Sequence, residues 1–163
     1  MAKIFISYRH VEPDHTIARS LLRKFASDGN AREAREHYAE AVAQATEFQD
    51  ALTDHQVCVS GSVQGFASIV MQLCERTLTL EPESAPLRRN GRGMARARLG
   101  DLAGAAEDLG AYAAGLEKMK NPNHELWVRV HDWTDALSHG RNPFDAQTLE
   151  QLRREDARAT QEP

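Results

Sequence analysis

The chain has 163 residues, which is enough for one well-buried domain and short for two. Its net charge is −4 and 27% of its residues are charged, so the composition favours solubility without general attraction to nucleic acid or anionic membrane. No apolar stretch reaches the roughly 20 residues that a membrane-spanning helix requires, and a cytoplasmic location is expected.

The N-terminal segment has the pattern of a short strand followed by a helix. Residues 3–8 are mostly apolar and lack helical spacing, which predicts one β-strand. Pro13 and Asp14 then break the pattern and offer an N-cap. In the helix that follows, Ile17 and Leu21 fall on one apolar stripe.

The middle of the chain contains a second predicted helix and a predicted loop. Apolar residues at three- and four-residue spacing predict a helix that begins near Ala31 and reaches Leu52. From Thr53 to Gly65 the pattern lapses into polar residues and glycines, so a loop or hinge is expected there. The cysteines on either side of this glycine-rich segment, Cys58 and Cys74, are expected to be buried and reduced.

The second half of the chain alternates helical patterns with stops. Pro82, Gly100, Pro122 and Gly140 are the residues expected to end or turn helices. The predicted helices cover about 66–80, 87–99, 102–116 and 126–137, and a last short one begins near Asp145. Residues 154–163 lack the apolar side chains that would order them and are predicted to be a disordered tail.

From about Val63 to Arg153 the chain resembles the tetratricopeptide-bearing C-terminal segment of bacterial multidomain signalling proteins. The motifs that carry the resemblance are Leu80-x-Pro82, Arg92-Gly93-Met94-Ala95-Arg96, Leu99-Gly100-Asp101, Asp132-Trp133-x-x-Ala136-Leu137 and Gly140-x-Asn142-Pro143-Phe144. The resemblance implies a mainly α fold of stacked antiparallel helical hairpins, here preceded by one short N-terminal β-strand. Stacking buries the apolar faces that a single hairpin would leave exposed.

Residues 3 to about 25 resemble the start of a TIR domain, a family of bacterial and immune signalling modules. The matching residues are Lys3-Ile4-Phe5-Ile6-Ser7-Tyr8-Arg9, Asp14, Ala18 and Leu21-Leu22. The family implies a flavodoxin-like parallel sheet, and some of its members cleave NAD with a glutamate far downstream. Nothing after residue 30 matches its later strands. The expected organisation is therefore a TIR-remnant segment at 1–13, a tetratricopeptide-like helical domain at 14–153 and the tail.

The sequence predicts no catalytic, cofactor or metal site. No glutamate lies beside a Ser, Cys or His at a spacing that identifies a nucleophile and its base. His124 and His131 are two turns apart, too far to chelate one ion without a third ligand. The paired glycines near positions 61 and 91 lack the Lys-Ser or Lys-Thr ending of a phosphate-binding loop.

A cluster of arginines is the feature that points to binding. Arg88, Arg92 and Arg96 repeat at four-residue spacing, which places three like charges on one helix face. They either pair internally or bind an acidic peptide or a C-terminal carboxylate. Candidates for internal pairing are Glu81, Glu83, Asp101, Glu107 and Asp108.

In the resembling proteins the groove is lined by the first helix of each hairpin, which here brings forward Asn90, Met94 and Arg98. With Arg92, these residues are the predicted partner-binding set. The predicted function is a non-enzymatic protein–protein interaction module in bacterial signalling, whose partner is a protein or peptide, an acidic one being a candidate, and neither nucleic acid nor membrane. The alternatives are a truncated TIR-type NAD hydrolase and a broken gene product; the oligomeric state is not predicted.

Overall fold

The computed structural model describes residues 31–119 and 123–161. Within these residues the chain is mainly helical, as predicted, and forms no strand. The seven α-helices, with one 3-10 turn at Pro82–Ser84, are α1 (Ala31–Phe48), α2 (Ala51–Gln64), α3 (Ala67–Leu80), α4 (Ala85–Arg98), α5 (Leu102–Glu117), α6 (His124–Ser138) and α7 (Ala146–Gln161). The predicted strand at residues 3–8 and the helix predicted after Asp14 lie outside the described ranges.

Consecutive helices joined by short turns pack as antiparallel pairs. Helix α2 packs on α3, and α4 packs on α5. Helix α4 also packs on both α2 and α3, so the second hairpin is stacked directly on the first. Helix α1 lies against the first hairpin and α6 against α5. The turn between α4 and α5 depends on Gly100, whose φ of 90° lies in the left-handed region that glycine adopts without strain.

Two apolar clusters hold the stack together. The first joins α1, α2 and α3 to α4, and it includes Tyr38, Val57, Val70 and Leu73. The second joins α2, α4, α5, α6 and α7; its buried members are Val59, Val63, Met94, Ala97, Ala105, Leu109, Ala113, Leu116, Val130, Leu137, Phe144, Leu149 and Leu152. No helix within the described ranges combines the length and the apolar character needed to cross a membrane.

The prediction of a loop from Thr53 to Gly65 was wrong, because this segment forms most of helix α2. Asp50 begins the helix by accepting a hydrogen bond from the backbone N–H of Thr53 at 2.7 Å. The helix predicted from Ala31 to Leu52 is consequently divided, and Leu52 belongs to α2.

Helix α2 buries the carboxylate of Asp54 because a neighbouring helix satisfies it. Asp54 is fully buried and binds Arg76 of α3 through two hydrogen bonds of 2.6 Å. The same guanidinium donates to the carbonyl of Ala45 near the end of α1 at 2.6 Å. One arginine therefore ties α1, α2 and α3 together, and the polar residues that suggested a loop are interior contacts.

The prediction of reduced cysteines also differs from the structure. Cys58 of α2 and Cys74 of α3 form a disulfide, and both are fully buried. Helix α4 crosses directly over this bond, since a Cβ built on Gly91 would lie 2.7 Å from the Cys58 Sγ. Close packing of α4 on the first hairpin therefore requires glycine at position 91.

The predicted disordered tail is instead largely helical, because α7 continues to Gln161. Asp145 caps the helix by accepting a hydrogen bond from Thr148 N at 2.8 Å. Beyond the last leucine, the helix is supported by pairs four residues apart, such as the 3.1 Å contact between Arg154 and Glu150.

Candidate partner-binding site

Helix α4 carries all four residues predicted to bind a partner, but it places them at different depths. Asn90 and Met94 are one turn apart on the same face of α4, and the two residues are only 9% and 2% exposed. Arg92 lies on the side of the helix that faces α5. Arg98, near the end of the helix, is exposed. The structure therefore brings Asn90 and Met94 together and separates Arg92 from them.

The arginine cluster of α4 surrounds one buried carboxylate on α5. Asp108 has no exposed surface, and its two oxygens accept hydrogen bonds of 2.7 and 2.6 Å from Arg92 Nε and Nη2. Arg96 Nη1 lies 3.0 Å from the same carboxylate, and Arg89 Nη1 lies 3.3 Å from it. Internal pairing, one of the two alternatives for this cluster, is thus what the structure shows.

The remaining arginines of α4 differ in their surroundings. Arg88 forms a close ion pair with Glu81, which precedes the helix. Among the arginines of α4, Arg98 alone forms no ion pair with a carboxylate of the described residues. Its guanidinium lies close to Gly65, because a Cβ built on that glycine would be 3.8 Å from Arg98 Nη2. This places the guanidinium over the C-terminal end of α2, where exposed carbonyls favour a cation.

One continuous surface of the first two hairpins combines the buried predicted residues with residues of α2. We name it the inner face, and its members are Gln56, Val59, Ser60 and Val63 of α2 with Asn90, Met94 and Ala97 of α4. Helical spacing of three, four and seven residues places each set on one side of its helix. All seven residues are buried, and α7 packs against α2 at this surface.

Helix α7 is held to the inner face by apolar contact and by hydrogen bonds at its two ends. Before the helix begins, Asn142 Nδ2 donates to the carbonyl of Ala97 at 2.9 Å. Near its end, Asp156 Oδ2 accepts a hydrogen bond from Ser60 Oγ at 3.0 Å. The Tyr38 hydroxyl lies 2.8 Å from the same Ser60 Oγ. Because Ser60 has one proton and donates it to Asp156, Tyr38 is the donor in the second bond.

Burial shifts the acid–base behaviour of this chain of hydroxyls and carboxylate. It raises the pKa of Asp156 to about 6, and the hydrogen bond from Ser60 opposes the shift only in part. Burial likewise raises the pKa of Tyr38, so its phenol stays protonated. None of the described lysine, arginine or histidine side chains forms an ion pair with Asp156.

Two buried amide oxygens on the inner face have no hydrogen-bond partner. They are Gln56 Oε1 on α2 and Asn90 Oδ1 on α4. Leaving a buried acceptor unpaired costs about 1–3 kcal/mol. The inner face therefore holds acceptors that a ligand with hydrogen-bond donors would satisfy.

The sequence offered Asp108 as one of five candidate partners for the arginines, but it did not indicate Ser60 or Asp156. The signal for Asp156 was present, because it follows Leu149 and Leu152 at a spacing of seven and four residues and so continues their stripe beyond Arg153. No local signal marked Ser60, whose partners lie 22 and 96 residues away in the chain.

Comparison of this chain with protein-family models, with curated proteins and with solved structures finds no match. The tetratricopeptide and TIR resemblances accordingly stay predictions. In the described part of the chain, no group of three or more His, Cys, Asp or Glu side chains is arranged to hold a metal ion.

Proposed function

We propose that this protein is a non-enzymatic protein–protein interaction module, built from tetratricopeptide-like helical hairpins, that acts as a scaffold or adaptor in bacterial signalling. The observation that carries the proposal is the inner face itself. It is a buried surface of two stacked hairpins, and an amphipathic helix already lies against it. A surface that accepts one amphipathic helix through apolar anchors has the chemistry of helix-in-groove recognition.

The rigidity of the hairpins supports binding through this face. The Cys58–Cys74 bond fixes α2 to α3, and the Asp108 ion pairs fix α4 to α5. Helix α4 then packs over the disulfide at Gly91. Because the two helices that form the inner face are held in place before a partner arrives, little ordering cost is incurred on binding.

The polar residues on and beside the inner face indicate how a partner is oriented. Asn90 offers an unpaired acceptor, and Arg98 offers an exposed guanidinium at the edge of the face. Preference for an acidic partner therefore depends on Arg98, since Arg92 is already bound to Asp108. Met94 contributes buried apolar surface to the inner face.

The test begins with affinity capture from the native host and continues with the purified partner. Arg98→Ala and Asn90→Ala should each weaken binding by about fivefold or more, the effect of losing roughly 1 kcal/mol of hydrogen bonding. Asn90→Ala leaves no protein group unpaired, so its fold should be intact. The matched control is Arg35→Ala, an exposed position on α1. If both site variants bind as the control does, the inner face is not where the partner binds.

A further inference from the structure

Helix α7 reaches the inner face with a short apolar seam. Leu149 and Leu152 are 6% and 1% exposed and belong to the same cluster as Val59 and Met94. Asp156 is the next residue of the seam, so the three follow the spacing i, i+3, i+7 of a helix that packs along one stripe. At the third position, which is partly buried and where an apolar residue would extend the seam, this chain has a carboxylate.

The carboxylate at this position is poorly compensated. Asp156 accepts a hydrogen bond from Ser60 at 3.0 Å and has no cationic partner among the described residues. The neighbouring acid, Glu155, does have one, because Arg129 of α6 lies 3.0 Å away. A charged group on the packing seam without a counter-ion weakens the docking of α7.

Helix α7 can leave the face without disturbing the hairpins. Its backbone packs on α2, and the segment 139–145 joins it to α6, the helix before it in the chain, whose Arg129 also pairs with Glu155. No residue of α7 belongs to the first apolar cluster, and the second keeps its α2, α4, α5 and α6 members when α7 is absent. The helix also carries its own cap at Asp145, so it can remain partly helical when released.

We infer that α7 is a weak internal occupant of the inner face, and that the partner contributes an amphipathic helix that displaces it. This inference rests on the proposed function and specifies its partner. The partner helix has apolar residues at positions equivalent to Leu149 and Leu152 and an uncharged residue at the position equivalent to Asp156. Such a helix keeps the apolar contacts of α7 and avoids burying a charge, so it competes successfully for the face.

The first experiment measures α7 in the unmodified full-length chain. Hydrogen exchange is followed at amides of residues 149–158 and at amides of α2. We expect α7 to exchange at least about tenfold faster than α2, as a locally opening helix does. Identical exchange of α7 and α2, limited by global unfolding, would overturn the inference.

The second experiment uses a synthetic peptide of residues 142–161 that carries Asp156→Leu. Binding to the full-length chain is read by fluorescence anisotropy, and the control peptide carries Leu152→Asp in addition. The wild-type chain should bind the first peptide at least about tenfold more tightly than the control, because the control loses a buried leucine. Saturating peptide should also speed exchange of the chain's own α7.

The third and decisive experiment places the Asp156→Leu substitution in the full-length chain. A full-length Asp156→Leu chain holds its own α7 more tightly, so it should bind the peptide about tenfold more weakly than wild type. The matched control chain is Arg154→Leu, which adds a leucine on the exposed side of α7 and should bind like wild type.

The outcomes separate the inference from the proposed function. If the peptide binds but the Asp156→Leu chain binds it as tightly as wild type, α7 is not a competitor, while the inner face still binds helices. If the wild-type chain binds neither peptide, the inference fails, because a helix with the apolar seam of α7 then does not bind the inner face. The Asn90 and Arg98 variants with a captured partner then decide the proposed function separately.

Discussion

At the scale of single residues, Asp108 carries the charge balance of α4. Three guanidinium groups, those of Arg89, Arg92 and Arg96, lie within 3.3 Å of its fully buried carboxylate. Without that carboxylate, the three cations on neighbouring turns would repel one another with no anion between them. The contact therefore stabilises both helices of the hairpin.

Replacing Asp108 with Asn should lower the free energy of unfolding by about 3 kcal/mol, the lower end of the range for breaking a buried ion pair. The lower end applies because the arginines are partly exposed and can rehydrate. Urea unfolding gives the measurement, and Glu107→Gln is the control. That exposed acid lies 3.9 Å from Arg89, so its loss should change stability by less than about 1 kcal/mol. Equal effects of the two substitutions would contradict the assigned role.

Two titratable residues, the partly buried Asp156 and the buried His55, make the stability depend on pH in opposite directions. The pKa of Asp156 is raised from 3.8 to about 6, so the folded state binds more protons between these values and loses stability as pH rises. The pKa of His55 is lowered from 6.5 to about 3, by burial first and by Arg88 second. The contribution of His55 to the free energy of unfolding is therefore complete above pH 6.5 and is lost as pH falls from 6.5 towards 3. The two slopes oppose each other between about pH 4 and 6.

The contribution of Asp156 is isolated by comparing the wild type with Asp156→Asn. Above about pH 6 the wild-type chain buries an ionised carboxylate and the variant does not, so α7 amides in the variant should be about 10- to 100-fold better protected from exchange. Near pH 3, below both pKa values, where the carboxylate is largely protonated in folded and unfolded wild type alike, the two proteins should agree. Protection that differs equally at both pH values would contradict the titration of Asp156.

At the scale of elements, α2 is the helix whose character depends most on its neighbours. Gly61 lies near the C-terminal end of α2, and a Cβ there would overlap Val70 Cγ1 of α3. The glycine lowers helix propensity but permits the close approach of α2 and α3. Local propensity and tertiary packing therefore act in opposite directions at this residue.

Gly61→Ala should destabilise the protein by about 1–3 kcal/mol, although alanine is the better helix former. Val70 is stiff and fully buried, so it cannot move aside cheaply. Gly110→Ala, in the middle of α5, is the matched control, because its Cβ would find the nearest atom 3.6 Å away. That substitution should stabilise by about 0.5–1 kcal/mol. Thermal unfolding followed by circular dichroism measures both, and stabilisation by both would show that α2 and α3 are not so closely packed.

At the scale of the whole molecule, the disulfide restricts the unfolded chain as well as the fold. Cys58 and Cys74 are 16 residues apart, and closing a loop of this size stabilises a protein by about 3 kcal/mol in the chain-entropy description. Disulfides are rare in cytoplasmic proteins. The oxidation state of this pair in the native host therefore tests the cytoplasmic location predicted from the sequence.

Reduction should lower the free energy of unfolding by about 3 kcal/mol. A double variant with alanine at positions 58 and 74 should show the same lowered stability and no response to reductant. The direct measurement is alkylation of denatured, unreduced protein followed by mass spectrometry. Addition of two alkyl groups per chain would show two free thiols and contradict the bond.

Part of the architecture could be predicted because its signals are local. The boundaries of α4, α5 and α6 are close to those predicted, since Pro82 and Gly100 act on the adjacent backbone alone. The candidate site could be predicted from the sequence only in part. The tetratricopeptide resemblance brought forward Asn90 and Met94, but neither it nor the helical spacing could show that Arg92 is bound to a carboxylate 16 residues away.

The sequence by itself determined the helical class of the chain and where its later helices stop, because periodicity and backbone-restricting residues act over a few positions. Only the tertiary structure decided that the polar segment around Ser60 is a buried helix, that the two cysteines meet, and that α7 covers the inner face. Those outcomes depend on partners far apart in the chain, whose hydrogen bonds and packing exist only once the helices are stacked.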